Sequence, residues 1–208
     1  MSEALTRATH TVTEAALPRM VLDRREFPPA LRDFAPVRTG VLDNETMAQQ
    51  GFPGSSAERF RAVGRLTGYL HECAALAPEG EDIPHGYDLA AATVVHLFDA
   101  AAGVARWMEE IFVGEFEAHV DQDLQPEQRL LMVQRLVLGG FADLAMGLRI
   151  LQSSPLGPIS STVIDFRIGR LLGVAYVATL GNYERQELVE RLARELERKM
   201  IRVVLDVS

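Results

Sequence analysis

The 208-residue chain has a single cysteine, Cys73, so it can form no intramolecular disulfide and no thiolate-rich metal site. It has no run of about 18 apolar residues, the length a helix needs to cross a bilayer. Positive charge is scarce: 21 Lys and Arg stand against 29 Asp and Glu, a net charge of -8. Binding along a phosphate backbone needs a basic face, so nucleic acid is not an expected partner. There is no GxGxxG after a strand pattern, no GxxxxGK[ST] and no GxSxG, which removes the common phosphate-cradling loops and the hydrolase elbow. The five histidines, His10, His71, His85, His96 and His119, show neither HxxxH nor HExxH spacing, and neither metal nor cofactor is expected. The N-terminus has no basic stretch followed by a continuous apolar one. It reads as cytoplasmic, although an exported chain already trimmed of its signal reads the same way.

What is present is an ordinary globular composition, 48% apolar and 24% charged, on a chain long enough to bury a core. Residues 1–57 read as an arm. Prolines 28, 29 and 36 exclude a regular helix there, and Phe27, Leu31 and Phe34 are its docking residues. Asp43 or Asn44 offers a cap for one or two helical turns that stop at Gly51 and Pro53.

Residues 58–208 read as the main domain. "ERFRAVGRLTGYLHECAAL" fits a helical stripe through Phe60, Val63, Leu66, Leu70 and Cys73, and also a strand with Leu66 and Leu70 inward and Arg65 and Thr67 outward. Gly64 and Gly68 each cost a helix interior about 1 kcal/mol, which favours the strand. "YDLAAATVVHLF" is a strand apolar on both faces except for Thr93 and His96, paired with its predecessor across a long turn. Asp99 is the expected cap of a helix that buries Val104, Trp107, Met108, Ile111 and Phe112. Strands follow at 130–138 and 144–151, with Pro126-Glu127 offering a helix start instead. Ile164, Phe166 and Ile168 then alternate with Asp165 and Arg167, a strand with one wet face. "LLGVAYVATL" is a central strand. The closing helix stacks Leu188, Leu192, Leu196 and Met200 on one side.

The expected fold is α+β: an antiparallel sheet of about five or six strands packed with two main helices, in the order β-β-α-β-β-β-β-α, after an irregular N-terminal arm. An all-helical bundle is the alternative if residues 58–98 are helical.

Through "DLAAATVVHLFDAAAGVARWMEEIF", "GGFADLAMGL" and "VIDFRIGRLLGVAYVATLG" leading into "ELVERLARELERKM", the chain resembles the PsbP-like fold. It is similar in the same way to the related extracytoplasmic sensor domains of mycobacterial serine/threonine kinases and lipoproteins. The likeness spans roughly residues 58–205. Members are usually exported and the sensor domains often carry disulfides; this chain shows no signal and can form none. The resemblance implies a non-catalytic binding or scaffolding module and carries over no site residue.

Candidate chemistry is sparse. Glu115 and His119 share a helical face and read as a surface ion pair. Cys73 shares a strand face with His71, but no oxyanion hole accompanies them, and an inert buried thiol is the expectation. His96, in the most apolar strand, reads as a satisfied core residue or as a polar ring facing a cavity. Tyr69, His71, His96, Arg167 and Tyr176 are the candidate ligand-binding set, with Arg65 and Asp165 joining if their strands line one groove. The functional expectation is a module that holds an apolar small molecule or a protein partner between sheet and helix. A homodimeric structural subunit, or an enzyme of unrecognised type using His71 and His96, is the alternative.

Overall fold

Alternation builds the sheet. The computed structural model describes residues 3–76, 83–125 and 128–207. In it Ile164, Phe166 and Ile168 are fully buried on one face of their strand, while Val163, Asp165 and Arg167 take the other. Eight such strands form one sheet: β1 (Ala35–Val41), β2 (Arg65–Ala74), β3 (Asp88–Phe98), β4 (Asp123–Gln125), β5 (Gln128–Leu136), β6 (Ala145–Gln152), β7 (Ile159–Ile168) and β8 (Leu171–Leu180). Their order is β1-β2-β3-β8-β7-β6-β5-β4, and every pairing is antiparallel.

Seven α-helices accompany them among the described residues: α1 (Glu3–Ala8), α2 (Leu17–Met20), α3 (Asn44–Gln50), α4 (Ala57–Ala62), α5 (Ala101–Arg106), α6 (Gly114–Ala118) and α7 (Gln186–Val207). A π-helical segment, Trp107–Val113, joins α5 to α6. The α+β class is as read, but five or six strands with two main helices is corrected to eight strands with several helices. The uncounted strands have physical reasons to be missed. β1 lies in the proline-rich stretch, where Pro36 is tolerated because an edge strand leaves N–H groups unpaired in any case. β4 is three residues long, too short for an alternation to show.

The centre of the sheet is covered on both faces, which is why β3 and β8 are apolar on both. On one face α7 buries Leu188, Leu192, Leu196 and Met200 against β7 and β8, and Leu17, Met20, Phe27 and Leu31 of the N-terminal segment join that core. On the other face Val104, Trp107 and Met108 pack on Phe60, Phe98 and Leu172.

Two local expectations change. The ambiguous segment is a helix and then a strand, divided at Gly64, whose φ of +90° is open to glycine at little strain. A bulge between Arg65 and Thr67 then breaks the expected alternation: Arg65 and Thr67 are both buried, opposite Phe98 and Leu97, and Leu66 is 46% exposed, while Leu70 is buried as expected. Asp99 does not cap α5. Its N–H closes onto the Gly64 carbonyl at 2.9 Å, so it ends the strand ladder, and the helix begins after Ala100 without a side-chain cap. The helix start at Pro126-Glu127 falls outside the described residues, and the strand at Gln128 follows it.

Candidate functional site

Between the sheet and the α5–α6 cover lies a cavity of about 250 Å³. Its floor is the sheet, through His96 of β3, Val163 and Asp165 of β7 and Val174 of β8. Its roof carries Trp107, Ile111 and Phe112 of the π-helical segment, with Glu115 and Phe116 beyond them. Met47 and Phe52 close the side. The wider hydrogen-bond spacing of a π turn is uncommon and recurs where helices shape functional sites.

Asp165 is the unusual wall. The strand alternation that suggested a solvated face puts it under the helical cover, at 2% exposure. Burial holds its carboxyl well above the ordinary value, and no hydrogen bond or charge contact offsets this among the described residues. Asp165 lines the cavity, and no hydrogen bond to its carboxyl is formed among the described residues. A buried carboxyl is ordinarily paired or hydrogen-bonded, because leaving it unpaired costs about 1–3 kcal/mol or more.

His96 is the second polar wall, and its tautomer follows from its neighbour. Arg65 donates to His96 Nδ1 from Nε at 3.1 Å and from Nη2 at 2.9 Å. A guanidinium has only donors, so Nδ1 accepts and the neutral ring carries its proton on Nε2. Burial, and then the Arg65 charge, push the imidazole pKa well below its ordinary value, consistent with a neutral ring. Arg65 itself is buried and has no ion pair within 4 Å among the described residues. Nη1 bonds Asn44 Oδ1 and Nη2 bonds the Leu42 carbonyl, each at 2.6 Å, and the guanidinium lies over the Trp107 ring. Burial lowers its pKa to about 10, with the Asp43 charge opposing, so it remains a cation at neutral pH. Gly68 makes this pair fit: a Cβ there would lie 2.5 Å from His96 Nδ1 and 2.9 Å from Arg65 Nη2.

At the rim, Glu115 pairs with Arg59 of α4 and stands 3.6 Å from His119 Nδ1. The expected surface pair is therefore largely buried, and the His119 ring stacks on Phe52 with centroids 4.7 Å apart.

The sheet divides the candidate set. Arg167, Leu172 and His96 are in register across β7, β8 and β3, so Arg167 and His96 share the cavity face. Arg167 is held away in a bidentate pair with Asp143 at 2.8 and 3.0 Å. Tyr176 is on the same face but donates to Glu72 Oε1, and does not line the cavity. Tyr69 and His71 are on the opposite face, packed toward α7 and the N-terminal segment. His71 Nδ1 meets Thr39 Oγ1 at 2.8 Å and its Nε2 is 3.4 Å from Cys73 Sγ. Burial pushes the Cys73 thiol pKa up, away from the reactive thiolate. Of the five, His96 alone lines the cavity. Among the described residues, no group of three or more His, Cys, Asp or Glu is placed to hold a metal ion.

The architecture is that of an α+β domain with a central antiparallel sheet covered on both faces and a polar-floored apolar cavity on one of them. No protein-family model matches the chain, and no curated protein is significantly similar to it. A solved structure shares the fold: the extracellular domain of PknH from Mycobacterium tuberculosis aligns with a TM-score of 0.57 at 9% identity, over 94% of this chain and 97% of that one. An uncharacterised protein from Mycobacterium smegmatis aligns with a TM-score of 0.44 at 11% identity, over 86% of this chain and 93% of that one. The likeness to the PknH extracellular domain is one of fold. No helix among the described residues is long and apolar enough to cross a membrane.

Proposed function

We propose that the protein is a non-catalytic binding module that holds an apolar small molecule between the sheet and the α5–α6 cover. The observation that carries this reading is Asp165: a residue 2% exposed, its carboxyl without a hydrogen-bond partner among the described residues, lining a largely apolar cavity beside His96. A few convergent polar groups in an apolar concavity are the usual composition of a small-molecule site. A stability-optimised core would place an aliphatic side chain at that position. The volume suits a compact ligand, since a cavity of about 150 Å³ is large enough for benzene. A fold shared with the extracellular domain of PknH is compatible with a binding role.

A thermal-shift screen against fatty acids, isoprenoids and small aromatic metabolites tests the reading when run on wild type and on Val174→Phe, which fills the cavity floor. Compact apolar ligands should raise the wild-type melting temperature by several degrees and leave the variant unmoved. Equal shifts in both proteins, or none in wild type, would remove the support.

A further inference from the structure

The cavity's walls also restrict the charge of what it takes. Its aromatic lining is Phe52, Phe60, Trp107, Phe112 and Phe116, whose ring faces are electron-rich. Among the described residues its two acids are Asp165 and Glu115, and no Lys or Arg lines it. The nearest cations have other business. Arg59 is committed to Glu115, and Arg65 sits behind His96 with its donors on Nδ1, Asn44 Oδ1 and the Leu42 carbonyl. An anionic ligand would therefore meet carboxyls and π faces and find no unpaired cation among the described residues lining the cavity. A protonated amine finds the reverse: a carboxyl at the floor that becomes an acceptor on giving up its proton, aromatic faces around it, and a chain whose net charge of -8 attracts cations.

Resting on the binding-module reading, we infer that the cavity is a site for a small primary or secondary amine with an aromatic or alicyclic body. Asp165 releases its proton to solvent as the amine enters and the ammonium donates to the carboxylate so formed, the body packs among Trp107, Phe112 and Phe116, and the His96 Nε2–H is left for a hydroxyl or carbonyl of the ligand. Asp165 then gains the partner that the unliganded chain withholds from it. Hydrogen bonds to charged groups are worth about 1.5–3 kcal/mol, which corresponds to roughly tenfold to a hundredfold in affinity.

Three near-isosteres separate the possibilities by isothermal titration at neutral pH: 2-phenylethylamine, the neutral 2-phenylethanol and the anionic 3-phenylpropanoate. The amine should bind about tenfold or more tightly than the alcohol, with the acid weakest. Asp165→Asn, which keeps the side-chain volume and whose fold circular dichroism checks, should remove the amine's advantage over the alcohol. Binding of the alcohol or the acid as tightly as the amine, or an amine preference that survives Asp165→Asn, would overturn the inference while leaving the cavity a ligand site. Failure of all three to bind wild type would overturn the site and the inference together.

Discussion

Arg65 and His96 form a buried pair in which a cation donates twice, from Nε and Nη2, to one imidazole nitrogen. Among the described residues no carboxylate touches the charge, which is met by neutral acceptors, the Trp107 ring and the more distant Asp43. Such a cation depends on every acceptor it has. His96→Phe keeps the ring and strands those donors, so it should cost about 1–3 kcal/mol in urea denaturation. Adding Arg65→Met should recover part of that loss, because the cation left unpaired is then gone. A double variant no more stable than His96→Phe would show that the ring's packing, and not the pair, matters.

Gly68→Ala probes the same pair from the backbone. The added methyl would sit 2.5 Å from His96 Nδ1 and 3.2 Å from the Val95 carbonyl, and the carbonyl belongs to the sheet and cannot give way. The expected result is a loss of about 1–3 kcal/mol with the fold retained. A neutral substitution would mean that Arg65 can leave His96 freely.

Asp165 gives stability a pH dependence whose sign follows from its raised pKa. Below the ordinary value of 3.8, folded and unfolded chains both hold the proton. Above it the unfolded chain releases the proton and the folded chain keeps it, so stability falls as pH rises toward the folded pKa. His96 acts oppositely: its pKa is lowered, so acidification through 6.5 favours the unfolded chain, which takes up the proton. Comparing wild type with Asp165→Asn cancels His96. The melting temperature of the variant should match wild type near pH 4 and exceed it increasingly toward neutral pH. A constant difference would show that Asp165 ionises in the folded chain as it does in water.

Much of the frame was legible because it rests on periodicity. The strands near 130–138, 144–151, 161–168 and 171–180 and the closing helix each carry an apolar rhythm over seven or more residues. The site was less legible, because a site depends on which strands are neighbours and in what register. Tyr69 and His71 share a face by spacing alone. The register that sets Gly68 opposite His96 then puts them on the far side of the sheet from the cavity. Asp165 looked solvated because alternation distinguishes faces but does not say that a helix will cover the polar one. Arg65 looked solvated because a bulge of one residue is invisible in a pattern of period two.

The α7 face is a packing core and should behave as one. Leu192 is fully buried there, so Leu192→Ala should cost about 2–5 kcal/mol and Leu192→Asp should leave the chain insoluble or unfolded. Urea melts and soluble yield read both. A Leu192→Asp protein that melts with wild type would mean that α7 does not cover the sheet in solution.

The central claim is that a small molecule enters between the sheet and the α5–α6 cover, and methyl-resolved NMR during an indole titration tests it most directly. The account predicts saturable shifts at Met47, Ile111, Val163 and Val174, which line the cavity, with Leu192 and Met200 on the other face unmoved. Saturable shifts centred on the α7 face, or none at the four cavity methyl residues, would contradict it.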